Sequence, residues 1–134
     1  MTFKKKGFLI DIFSNALLID EDMVNFLEAN PPRSIDVTLY GLSDEEYYKF
    51  TGVHNGFTKL CKALNLLKER EIVFTTKMIL HKGNYNRLLD YNNFALQYCA
   101  PFRYNVVIGR GNNTIKDPND IALSNEEILA IESQ

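Results

Sequence analysis

The sequence predicts an α/β fold of about four parallel strands with crossover helices, forming either a twisted open layer or an arc of a barrel. Three observations lead there. Short apolar, β-branched runs alternate with stretches of helical periodicity. The runs begin near positions 8, 34, 72 and 102, far enough apart for one strand and its return helix each. Strand–helix alternation of this kind gives right-handed crossovers and a parallel sheet. No linker or low-complexity segment interrupts the 134 residues, which read as a single domain, 1–134.

The elements follow in order. "GFLIDIFS" (7–14) is rich in Ile, Leu and Phe and reads as the first strand. In "DEDMVNFLEAN" Asp20 caps a helix whose acidic first turn suits the positive end of the helix dipole. Pro31 and Pro32 end that helix, and a second strand runs from about Ser34 to Tyr40. "SDEE" (43–46) is a capping box in which Ser43 and Glu46 satisfy each other's backbone donors, opening a short helix that carries Tyr47 and Phe50. After the "HNG" turn, Phe57, Leu60, Cys61, Leu64 and Leu67 recur at spacings of three and four on a longer helix. "IVFTTKMIL" (72–80) is the third strand. Leu88, Tyr91, Phe94, Ala95 and Tyr98 share a stripe of the next helix, and "PFRYNVVIG" supplies a fourth strand over about Phe102 to Ile108. A second capping box, Ser124 to Glu127, opens a final short helix.

Composition sets limits on function. With 46% hydrophobic and 24% charged residues the chain can bury one core, and a net charge of −2 gives no basic footprint for nucleic acid. Three lysines precede the first apolar run, but Asp11 interrupts that run and no small-residue cleavage site follows. No stretch approaches the roughly 20 apolar residues that span a bilayer, so a cytoplasmic protein without membrane contact is expected. Cys61 and Cys99 belong to no CxxC pair, and His54 and His81 stand at no ligand-like spacing to them. No metal ligand set is expected from this chain.

In parallel α/β folds functional groups gather at the C-terminal ends of the strands. Those ends carry Ser14 and Asn15, Tyr40 and Gly41, then His81, Lys82 and Asn84, and last Gly109 to Asn113. Thr38 and Thr75 lie within strands, where threonine serves either as a strand former or as a ligand contact. Lys77 and Arg103 are more informative, because a long cation between apolar strand residues must face a cavity or a partner charge. "GRGNN" (109–113) lacks the third glycine of GxGxxG and no helix follows it directly, so it reads as a solvated turn.

Four segments then carry a resemblance. "SNALLIDEDMV" is similar to "TNGTLLDEEMV", "PPRSIDVTLYG" matches almost letter for letter, and "YYKFTGV" and "PFRYN" fall at the expected intervals. From Phe8 to about Glu132 the sequence resembles radical S-adenosylmethionine enzymes, in the peptide-maturase-like branch of Fe–S oxidoreductases. The resemblance implies a partial TIM-like (β/α) barrel in which a CxxxCxxC loop holds a [4Fe–4S] cluster and S-adenosylmethionine lies across the strand ends. Neither that loop nor the GGE-like segment that holds the methionyl amine occurs in this sequence, which corresponds to strands three to six.

Carried over by position, Ser14 and Asn15 match the family's "TN", with Ala16 in place of its glycine. Thr38 and Tyr40 fall where strand-end groups approach the cofactor's ribose and methionyl part, and Thr51 where many relatives carry an arginine for its carboxylate. The resemblance implies that Lys77 and Arg103 face the barrel interior and, with Ser14, Asn15, Thr38 and Tyr40, make up the cofactor-binding set. Asn105 replaces an aspartate and Ala122 an arginine of the branch.

The implied function is a fragment or split part of a radical SAM oxidoreductase. It contributes cofactor- and substrate-facing strand ends, no catalytic residue and no cluster ligand, and is inactive alone. The alternatives are a non-catalytic scaffold on the same fold and a nucleotide-binding protein using the strand ends and "GRGNN". The expected partner is a cluster-bearing N-terminal segment or protein, or a second copy of the chain, pairing with the sheet edge at Phe8–Ser14.

Overall fold

A computed structural model describes residues 5–106 and 121–132. The strands are β1 (Asp11–Ser14), β2 (Ser34–Thr38), β3 (Thr75–Ile79) and β4 (Phe102–Asn105). The helices are α1 (Glu21–Ala29), α2 (Asp44–Thr51), α3 (Gly56–Glu69), α4 (Leu88–Gln97) and α5 (Asn125–Glu132), with one 3-10 turn at Tyr85–Arg87. The strands form one sheet in the order β1-β2-β3-β4, and every neighbouring pair is parallel. The expected strand–helix alternation and parallel pairing are therefore present.

Alternation along each strand separates two faces. Ile35, Val37, Thr76, Met78 and Leu80 are buried, and they pack beneath Val24 and Leu27 of α1, Tyr47 of α2, Leu60, Leu64 and Leu67 of α3, and Tyr91 and Phe94 of α4. The opposite face carries Asp11, Phe13, Ser34, Asp36, Thr38, Thr75, Lys77, Ile79, Arg103 and Asn105, none of them buried. Parallel sheets are usually covered on both sides. Here helices cover one side among the described residues, and the other is bare.

Strand boundaries are narrower than the apolar runs suggest. The β1 ladder opens where Asp11 meets Ser34, just past the bond from Arg33 N–H to the Ile10 carbonyl. Upstream on β2 stand Pro31 and Pro32, which have no N–H to give, so a regular ladder does not extend back along residues 7–10. Ile72 N–H closes onto Leu67 O at the end of α3 and Val73 is 84% exposed, which delays β3 to Thr75. The Val107–Ile108 extension of the fourth strand and the "GRGNN" turn lie outside the described residues.

Caps fix the helix entries. Asp20 Oδ1 accepts from Met23 N–H at 2.9 Å, and Ser124 and Glu127 form a reciprocal box at 2.8 and 3.2 Å. The box at α2 differs from expectation. Ser43 Oγ accepts from Glu46 N–H at 3.2 Å, but the Glu46 carboxylate reaches one residue further back, to Leu42 N–H at 2.7 Å, and also pairs with Arg87. Asn55 at the start of α3 makes no side-chain cap. Asp44 of α2 does that work from a neighbouring helix, accepting from Thr58 N–H at 2.9 Å and from its hydroxyl at 2.6 Å. These bonds hold the Asp44 carboxyl below its ordinary range.

Candidate functional site

The C-terminal ends of β2, β3 and β4 open into two adjoining clefts. One, of about 280 Å³, is lined by Thr38, Tyr40, Lys77, Met78, Ile79, Arg103, Tyr104 and Asn105. The other, of about 200 Å³, is bounded by Thr38, Leu39, Tyr40, Phe50, Ile79, His81, Asn84 and Ile121. Thr38, Tyr40 and Ile79 belong to both, so the clefts form one bipartite surface with a cationic half and an apolar half. A roomier groove of about 570 Å³ lies between the β1–α1 loop and α3, away from these strand ends.

Register explains the cationic half. Thr38 pairs with Lys77 and Lys77 with Arg103, so three side chains from adjacent strands project in one row from the bare face. The Lys77 ammonium leans over the ring of Phe13 on β1, 4.1 Å from its centroid. Tyr40, just past β2, packs edge-on against buried Tyr47 with ring centroids 5.7 Å apart. The Tyr47 hydroxyl donates to the Thr38 carbonyl at 3.3 Å, anchoring the strand end from beneath, and burial holds the phenol well above its ordinary range.

His81 and Asn84 shape the apolar half. Asn84 accepts from His81 N–H at 2.8 Å and donates to Ile79 O at 3.1 Å, folding the turn after β3 onto the strand end. Gly83 N–H donates to His81 Nδ1 at 3.0 Å, so the ring is the neutral tautomer with its proton on Nε2. The ring is buried against Phe50, with centroids 4.7 Å apart. Burial lowers its pKa below the usual histidine value.

A pH dependence follows. Above the unfolded value of about 6.5 the neutral ring contributes fully. As pH falls below that value toward the lowered folded pKa, the unfolded chain binds the proton more readily and stability declines. Urea midpoints measured across this window should fall for the native chain, and fall less for His81→Asn, whose amide oxygen stands in for Nδ1. Equal declines in both would show that His81 is not the group responsible.

Of the expected site residues, the fold brings Thr38, Tyr40, Lys77 and Arg103 together. Ser14 and Asn15 are placed elsewhere. Ser14 pairs with Val37, on the helix-covered face, and its Oγ accepts from Ala16 N–H at 3.0 Å. Asn15 Oδ1 accepts from Leu17 N–H at 3.2 Å. Both side chains shape the loop around Ala16, which takes a φ of 60°, a left-handed conformation that glycine adopts freely. Thr51 donates to Tyr47 O at 2.7 Å and accepts from Val53 N–H at 3.2 Å, closing the end of α2.

Phe50, Ile79 and Ile121 were not anticipated as part of the site. Ile79 follows from simple alternation with Lys77, and Phe50 from its place one turn after Tyr47. Nothing local marks Ile121. Among the described residues no group of three or more His, Cys, Asp or Glu could hold a metal ion, and no helix is long and apolar enough to cross a membrane.

No family model and no curated protein matches the chain. Solved structures do. Streptococcus suis SuiB bound to S-adenosylmethionine superposes with a TM-score of 0.70 at 17% identity, covering 92% of this chain and 28% of that one. TYW1 with a lysine-pyruvate adduct bound gives 0.68 at 18% identity, covering 98% and 41%. The anSMEcpe enzyme with bound AdoMet gives 0.64 at 14% identity, covering 89% and 33%. The chain thus spans less than half the length of each of these structures. Four parallel strands in sequence order, with helices on one face among the described residues, match one part of the TIM-like barrel in these radical S-adenosylmethionine structures.

Proposed function

We propose that this chain forms the later wall of a radical SAM oxidoreductase and presents cofactor- and substrate-facing strand ends. The cluster-bearing part would come from a segment outside this sequence, in the same polypeptide or in another. The observation that carries the reading is the bare sheet face, where Thr38, Tyr40, Lys77 and Arg103 converge at the strand ends, in a fold whose neighbours SuiB and anSMEcpe have bound S-adenosylmethionine.

The two groups such an enzyme uses fit this chain unequally. Thr38 and Tyr40 offer hydroxyls that would hold S-adenosylmethionine, while Lys77 and Arg103 offer cations to an anion in the same cleft. When bound with a reduced cluster, that cofactor supplies a 5′-deoxyadenosyl radical for hydrogen abstraction. A [4Fe–4S] cluster does not fit. It needs clustered thiolates, whereas the sequence has two cysteines, with Cys61 on α3 and Cys99 just past α4. No step is therefore assigned to the chain alone.

The β1 edge supports a partner. Among the described residues β1 pairs with β2 on one side and with no strand on the other, and Phe13 on β1 and Phe8 and Leu9 just before it are 67%, 58% and 73% exposed. A parallel edge with large apolar side chains is a template for another strand. A strand from the cluster-bearing segment would cover it.

Anaerobic reconstitution with iron and sulfide tests the proposal, on this chain alone and mixed with a CxxxCxxC-bearing segment encoded beside it. The expected result is no stoichiometric cluster on the chain alone, and a complex of both parts with [4Fe–4S] absorbance. A stoichiometric cluster on this chain by itself, or a homodimer that closes the β1 edge against the segment, would overturn it.

A further inference from the structure

The cationic half of the bipartite cleft is electrostatically incomplete. Among the described arginines, Arg33 meets Asp11, Arg70 meets Glu21 and Glu28, and Arg87 meets Glu46 and Asp90. Arg103 meets no carboxylate among the described residues, and neither does Lys77. The two are register partners on adjacent strands, so their backbones are about 4.8 Å apart and their side chains leave the same face. Like charges so placed repel. The Lys77 ammonium accordingly rests on the far side, over Phe13.

That resting contact is weak enough to yield. An exposed cation–π pair is weaker than a hydrogen bond to a charged group. An anion entering between the cations would draw Lys77 off the ring and remove the repulsion. Towards the strand ends the surroundings change. Ile79, Phe50, Ile121 and the neutral ring of His81 surround the adjoining space of about 200 Å³.

We propose that the cleft takes a carboxylate joined to an apolar body, the head between Lys77 and Arg103 and the body against Phe50, Ile79, His81 and Ile121. This names the substrate class of the wall proposed above and rests on that reading for its role in an enzyme. Binding itself needs neither cluster nor cofactor. S-adenosylmethionine also carries a carboxylate, so the test must separate the two sources.

The full 134-residue chain is titrated, with amide NMR shifts as the readout, against N-acetyl-L-phenylalanine, its primary amide, acetate and S-adenosylmethionine. The acid should bind, moving signals of β3, β4 and the turn at 81–84, and should bind more weakly as salt rises. The amide, which lacks the charge, and acetate, which lacks the body, should each bind about tenfold more weakly or worse, a difference of about 1.4 kcal/mol. Arg103→Gln, at an exposed position, and Phe50→Ala should each lower affinity for the acid by a similar factor. Equal binding of acid and amide, or an unchanged affinity in Arg103→Gln, would overturn the proposal. So would binding of S-adenosylmethionine at these residues with none of the acid, which would assign the cations to the cofactor. Failure of the reconstitution experiment would leave all of these outcomes readable.

Discussion

Truncating Tyr47 to alanine should destabilise the chain by about 3–5 kcal/mol, the range for removing a buried aromatic ring. Tyr47 is fully buried between α2, α3 and the end of β2, and its ring meets those of Tyr40 and Phe57. Its hydroxyl supplies a smaller part, through the 3.3 Å bond to the Thr38 carbonyl. Tyr47→Phe should therefore lose only about 0.5–1.5 kcal/mol. Urea unfolding of the two variants separates ring from hydroxyl. Because Thr38 and Tyr40 line both clefts, Tyr47→Ala should also broaden the amide signals of residues 38–40, which Tyr47→Phe should leave sharp. A Tyr47→Ala chain as stable as Tyr47→Phe would show that the ring is not packed as described.

Gly56→Ala should be the second large loss. A Cβ at Gly56 would lie 2.5 Å from a ring carbon of Tyr47 and 3.1 Å from the next. The ring is fully enclosed and cannot swing away, so overpacking of about 1–3 kcal/mol is expected. The usual gain from replacing glycine by alanine, about 0.4–1 kcal/mol, offsets only part of it. The two substitutions should also be coupled. In a Tyr47→Ala background the space beside Gly56 is vacated, and Gly56→Ala should then become neutral or stabilising. A double-mutant cycle by urea unfolding reads this directly, and simple additivity of the two losses would refute the close contact.

Much of the architecture could be read from periodicity. The apolar stripe of α3 and the β-branched runs of β2 and β3 identify their elements, because burial against a common sheet demands those periods. Ends were harder to place, since they depend on neighbours. β1 is short because the strand beside it begins after two prolines, and that is a property of β2. The same holds for the site. Lys77 and Arg103 stood out as cations amid apolar strand residues, and the register places them side by side. Ser14 has the residue type and position of a strand-end ligand group, yet alternation turns it toward the helices. Ile121 reaches the cleft from a segment whose local pattern says nothing of it.

Ala16 has a wider implication. It is fully buried and holds a φ of 60°. A left-handed alanine is worse than a right-handed one by about 1–2 kcal/mol, a penalty glycine would avoid. The corner after the first strand therefore carries strain that its surroundings must hold in place, and the side chains of Ser14 and Asn15, each accepting from a backbone N–H two residues on, brace it.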